Sequence, residues 1–118
     1  PLLYLPSYCS FRMTDIWRSF VAQRIAWTCN WPILFHQSTV RQERNEHNLL
    51  TDFKEEISGY TNNHQIIKSL SELSLKNGID NIPENMILCY NKLMELGLID
   101  PKELTLLEAW LLDIKAKN

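Results

Sequence analysis

Glycine is scarce in this sequence, three residues in 118, and that removes several functions at once. A phosphate-cradling loop needs clustered glycines so that backbone N–H groups can close on the anion, and no such cluster exists. The GxSxG turn, the HExxH helix and the EF-hand loop are missing too. Cysteine is sparse: Cys9, Cys29 and Cys89 lie far apart without a CxxC pair. An odd, scattered set is no disulfide framework and no zinc site, although one disulfide of undefined pairing remains open. No apolar run approaches about 18 residues, so no segment spans a bilayer and no direct membrane contact is expected. Neither charge sign dominates: 12 basic and 14 acidic residues, interspersed, leave a net charge of −2. That argues against nucleic acid or an anionic membrane surface as partner. Internal repeats and low-complexity segments are absent. The opening PLLYLPSYCSFR lacks a Met and the charge pattern of a signal peptide. It reads as the middle of a protein, and the chain as the C-terminal piece of something longer.

What is present is enough chain for one domain, 45% of it hydrophobic. A chain of this size buries only about two thirds of its unfolded surface, so its stability is marginal without a partner. Residues 1 to 12 read as extended, because Pro1 and Pro6 stiffen the backbone. Thr14 or Asp15 is the expected cap of a helix running to about Cys29. Ile16, Phe20, Val21, Ala22, Ile25, Ala26 and Trp27 cover more than one face of it, which requires burial on several sides. Trp31–Pro32 ends it. Ile33–Phe35 then reads as a short strand, followed by the polar loop HQSTVRQERNEHN. Helices are expected at about 47 to 58, ended by Gly59, at 64 to 76, ended by Gly78, at 84 to 96, ended by Gly97, and at 101 to 116. The last has Asp100 as cap and Pro101 in its first turn. The division expected is residues 1–48, mixing aromatics with charge, and residues 49–118, an amphipathic helical region. The fold class is mainly α with one or two short strands.

Two constellations invite chemistry. Asp15 and Arg18 are three residues apart and share a helix face. A local ion pair with a capping role accounts for them. So does a carboxylate at the mouth of a pocket, facing a substrate hydroxyl, with arginine nearby to hold its charge or bind phosphate. The loop supplies Arg44, Asn45 and His47. His47 is either a surface histidine starting a helix or a metal ligand, with adjoining polar groups ordering the loop. One histidine cannot make a metal site alone. His36 and His64 carry less interest, and Trp17 and Trp27 read as core.

RMTDIWRSFVAQRIAW, VRQERNEHNLLTDFKEEI and LMELGLIDPKELTLLEAWLLDI together resemble the C-terminal part of STELLO-type glycosyltransferases. The family pattern has SDIWR, then QR and an aromatic, a Q-x-RN-x-H loop, and a tail with AWL and an acid. Thr14 stands here in place of the serine. The resemblance covers nearly the whole chain, and the DIWR and RNxH elements in that order carry it. It implies the C-terminal portion of a GT-A-like α/β fold that transfers a sugar from a nucleotide-sugar to an acceptor. In such enzymes a DxD carboxylate pair holds Mn²⁺ or Mg²⁺ on the diphosphate. This chain has no DxD, so the nucleotide-binding half is expected upstream as its partner, and no cofactor is expected in this chain alone.

By analogy with the fold, Asp15 is implied as the acceptor-side catalytic carboxylate. Arg18, Arg24, Arg44 and Asn45 are implied as substrate-binding residues, and His47 as a late metal ligand at the rim of the same cleft. The family also implies a membrane-anchored parent with a Golgi-lumenal domain, although no N-x-S/T sequon adds to that. The alternative is a non-catalytic helical interaction module, with a free-standing helical bundle as a third reading. Where the upstream sheet is missing, the early apolar helix predicts an exposed apolar patch, or self-association that covers it; in the free-standing bundle it is a core helix.

Overall fold

A computed structural model describes every residue except Arg44, Asn45, His47 and Asn118. Four helices form: α1 (Thr14–Thr28), α2 (Leu49–Ser71), α3 (Ile82–Glu95) and α4 (Glu103–Lys117). Single 3-10 turns at Phe11–Met13 and Ile79–Asn81 lead into α1 and α3. The mainly-α expectation holds. The expected strand at Ile33–Phe35 does not: among the described residues there is no strand. The reason is local to the sheet ladder, which needs a second strand to receive its N–H and C=O groups. Residues 31 to 43 are instead all exposed.

The helix ends follow from their caps. Asn48 Oδ1 accepts the N–H groups of Leu50 and Thr51 and starts α2. Asp100 Oδ1 accepts Lys102 N–H ahead of α4, as its sequence position predicts. Gly97, at φ +72°, closes α3: its N–H reaches Met94 O while Leu98 N–H reaches Leu93 O. Asn30, at φ +57°, closes α1 in the same way through Trp27 O and Ala26 O.

Three boundary expectations are overturned, the first being the helix end expected near Gly78, since α2 stops at Ser71. Neither Thr14 nor Asp15 caps α1. The helix is entered from the 3-10 turn, its flanking residue is Met13, and no side chain supplies the cap. Gly59 does not end a helix either; it lies buried in the middle of α2. A Cβ placed there would sit 2.3 Å from Met13 Sδ. Glycine lets α2 close on the start of α1, at a helix-propensity cost of about 1 kcal/mol relative to alanine.

The core takes Trp17, Val21 and Ile25 from α1, Ile66 and Leu70 from α2, Met86, Cys89, Tyr90 and Leu93 from α3, and Leu107 from α4. It therefore runs across residue 48. Trp17 is core as expected, with Nε1 donating to Asn63 Oδ1 at 3.0 Å. Trp27 is not; it is 56% exposed, at the rim of a hollow that it shares with Ile67 and Leu70 of α2.

Two buried polar groups fix the connections. Asn85 is fully buried and brackets Lys76, accepting its N–H at 3.0 Å and donating to its carbonyl at 2.8 Å. Glu103 is fully buried at the first turn of α4. It accepts the Tyr4 hydroxyl and the N–H groups of Ser7 (2.9 Å) and Tyr8 (2.7 Å). This one carboxylate ties the extended N-terminal segment to the last helix.

Burial gives the fold an alkaline limit. It pushes the Cys89 thiol up to about 12. Cys9 rises to about 11, through burial and then the charge of Glu103. Burial also carries the Tyr4 and Tyr90 hydroxyls above their usual range, with Glu103 adding to both. The unfolded chain releases these protons at lower pH than the folded one. Stability linked to them is complete below the ordinary thiol value of 9.0 and is lost as pH climbs towards the folded values. Each titrating group contributes a slope of up to about 1.4 kcal/mol per pH unit. Urea midpoints are expected to be level in this respect between pH 7 and about 9, and to fall steadily above it.

Candidate functional site

Asp15 stands in the first turn of α1, exposed, where its charge favours the positive helix end. Among the described residues its side-chain hydrogen bond is local: Oδ1 accepts the N–H of Ile16 at 3.0 Å. Around it are two adjoining hollows. One, of about 630 Å³, is lined by Arg12, Asp15, Gln42, Leu49, Asp52, Phe53 and Glu56. The other, of about 390 Å³, shares Arg12, Asp15 and Glu56. The cleft thus lies between the start of α1, the polar loop and the first turns of α2.

The N-cap at Asn48 explains why the acids converge here. It fixes the start of α2, so Asp52, Glu55 and Glu56 come round on the side facing α1. Arg12 bridges across: its guanidinium meets Asp52 and stands 3.7 Å from Glu55. A hydroxyl-bearing ligand entering this cleft would meet three acidic side chains, one guanidinium, the Gln42 amide and the Phe53 ring. Such a surface binds hydroxyls by accepting their protons in hydrogen bonds, and Asp15 can take one as a base.

The other residues singled out from the sequence are placed differently. Asp15 and Arg18 form no ion pair among the described residues. Arg18 is partly buried, and its charge acts on the buried Tyr90 hydroxyl instead. Arg24 lies nine residues beyond Asp15, about 13 Å along the helix. Its Nε donates to Leu70 O at 3.0 Å and its Nη2 to Leu73 O at 2.8 Å, closing the C-terminal end of α2. Arg24→Ala removes two charge-assisted hydrogen bonds and leaves those carbonyls only their local backbone donors, the N–H groups of Leu73 and Leu75; it is expected to lower stability by about 1–3 kcal/mol, with Arg24→Lys recovering part of it. Paired urea titrations of the two variants measure this. Arg44, Asn45 and His47 lie outside the described residues; the described neighbours Gln42 and Leu49 both line the cleft.

Sequence reasoning missed Arg12, Gln42, Asp52 and Glu56. The readable signal was the acidic run in TDFKEE after Asn48, with acids three and four residues apart on one helix face. What hid it was distance along the chain: Arg12 lies 40 or more residues from these acids, and no local pattern pairs them.

Among the described residues no group of three or more His, Cys, Asp or Glu side chains is arranged to hold a metal ion. The donors described here therefore do not by themselves fit a bound divalent ion. A larger groove, of about 820 Å³, lies elsewhere, between Trp31, Ile79, Ile82, Ile87, Leu111 and Leu112. Its walls are mostly apolar, so it offers a surface for packing and no converging chemistry. No helix among the described residues is long and apolar enough to cross a membrane.

The family model described as STELLO glycosyltransferases matches residues 12–118. No curated protein and no solved structure matches the chain.

Proposed function

The chain belongs to the STELLO glycosyltransferase family, and from that premise we propose that it forms the acceptor side of a sugar-transfer site. In this reading the chain is the C-terminal portion of a GT-A-like enzyme. The nucleotide-sugar sits on an upstream half of the same protein, which supplies the sheet that Ile33–Phe35 lacks here. The observation that carries the proposal is the open carboxylate of Asp15 in a polar cleft, with every lining residue inside the matched span.

Asp15 accepts the proton of the acceptor hydroxyl as that oxygen bonds to the sugar carbon, whose bond to the diphosphate breaks so that the nucleoside diphosphate leaves with the bonding electrons. A sugar hydroxyl is a poor nucleophile until its proton is leaving, which is why a positioned base is needed. Arg12 holds the facing acids of α2 in place. Glu56 and Gln42 are placed to receive neighbouring acceptor hydroxyls. Arg44 and Asn45 bind substrate from the loop, and His47 supplies one ligand to a Mn²⁺ or Mg²⁺ ion whose other ligands lie upstream. The parent protein is membrane-anchored, with this part in the Golgi lumen.

The test uses the full-length protein and a panel of nucleotide-sugars. His47→Ala is expected to raise the Mn²⁺ concentration needed for half-maximal nucleoside-diphosphate binding by at least about 10-fold, read by calorimetry. A full-length protein that binds and turns over no nucleotide-sugar would favour the non-catalytic helical interaction module instead.

A further inference from the structure

α2 is 23 residues long and buries only one of its sides. Gly59, Ile66 and Leu70 face the core. About 130° round the helix runs a second stripe: Leu50, Phe53, Ile57, Tyr60, His64 and Ile67. The intervals are three, four, three, four and three, the a and d positions of a heptad. All six side chains are exposed, and the five apolar ones are open to between 44% and 82%. A solvated helix face has no reason to carry this period. A face that meets another helix does.

We propose that this stripe is the seam of a two-fold dimer, in which α2 of a second copy lies antiparallel across it. The sequence of the seam is self-complementary in that direction. With Ile57 set opposite the partner's Tyr60, Leu50 falls opposite the partner's Ile67 and Phe53 opposite the partner's His64. No side chain then meets its own copy, and Ile57 against Tyr60 sets a smaller side chain beside a larger one, as close packing favours. The parallel arrangement stacks Phe53, Tyr60 and His64 each on its own copy, and brings two titratable imidazoles together.

Flanking charge agrees with the antiparallel choice. Lys54 lies nearest the partner's Thr61, and Glu56 nearest the partner's Asn63, so no like charges meet. At the far end of the stripe, Ile67 borders a hollow of about 130 Å³ with Phe20 and the exposed Trp27. That hollow receives the opposing Leu50 as a knob. The stripe leaves roughly 600 Å² of apolar surface open per copy, at the upper end of the range for the largest patch on a monomer. Two copies together reach the lower range of a stable interface, roughly 1,200 Å².

This inference does not rest on the sugar-transfer reading, although Phe53 and Glu56 also line the cleft, and it is tested without any activity. Analytical ultracentrifugation of the chain at about 100 µM is expected to give twice its 13.9 kDa mass. Ile57→Glu and Tyr60→Lys are both exposed in the single chain, so helicity by circular dichroism is expected to hold. Each variant alone is expected to weaken the dimer at least about 100-fold, because it sets a charge against an apolar layer. Mixing the two variants brings the opposite charges face to face across the antiparallel seam and is expected to restore a heterodimer. A monomeric wild-type chain overturns the proposal. So does a dimer indifferent to both substitutions, which would place the contact elsewhere. Failure of the mixture to pair overturns the antiparallel register.

Discussion

Asp15→Asn in the full-length protein is expected to lower sugar transfer by about 10²–10⁴-fold while leaving the fold in place. The amide keeps the oxygen that accepts the Ile16 N–H and keeps the size of the side chain, so local structure loses little. The lost charge at the first turn of α1 costs about 0.3–1 kcal/mol of stability, because an exposed carboxylate interacts only modestly with the helix end. What asparagine cannot do is take a proton from a hydroxyl. The change therefore separates chemistry from structure. Asp80→Asn, in the 3-10 turn before α3 and away from the cleft, serves as the comparison and is expected to leave transfer unchanged. Turnover at the wild-type rate in a well-folded Asp15→Asn protein would remove the base role and leave Asp15 as a helix-end carboxylate.

Glu103→Ala is expected to cost the fold about 3–5 kcal/mol, the largest loss from any single polar side chain in the chain. The carboxylate is fully buried and holds three donors: the Tyr4 hydroxyl and the backbone N–H groups of Ser7 and Tyr8. Alanine leaves all three without an acceptor, at about 1–3 kcal/mol for a buried donor and less for those near solvent. Tyr4 also stacks edge-on against Tyr90 at 5.4 Å and leans on Trp110 at 6.0 Å. Releasing it therefore loosens aromatic packing between the N-terminal segment, α3 and α4. Glu103→Gln keeps one acceptor oxygen but turns an amide donor towards other donors, so an intermediate loss is expected. Urea unfolding followed by tryptophan fluorescence measures both. A loss under about 1 kcal/mol for the alanine variant would mean that residues 1 to 10 are held by their apolar contacts alone.

The resemblance carried by DIWR and the RNxH loop is borne out by the family match over residues 12–118. Those elements were legible because they are short, local and specific in order. Asp15 was legible as a carboxylate near a helix start, although its capping role was not real. The cleft itself was only half legible. Arg12 and the acids of α2 are 40 or more residues apart, and no local signal pairs them. Arg24 shows a structural use that local pattern did not reveal. Its charge in an apolar helix invited a role in binding, and the fold uses its donors to close the end of α2.

Hydrophobic period and capping residues by themselves determined the helical class, the ends of α3 and α4 and, among the described residues, the absence of a membrane-spanning helix. Each depends on contacts within a turn or two of chain, where the backbone's own hydrogen bonds and caps decide the outcome. Tertiary structure decided what local rules could not. Gly59 reads as a helix stop until Met13 is seen against it, when it becomes the place where two helices touch. Ile33–Phe35 reads as a strand, but a strand exists only with a neighbour to share its hydrogen bonds, and none lies in the described chain. Glu103 reads as one more acid in a surface helix. Only the return of Tyr4, Ser7 and Tyr8 from the other end of the chain makes it the buried acceptor on which the N-terminal segment depends.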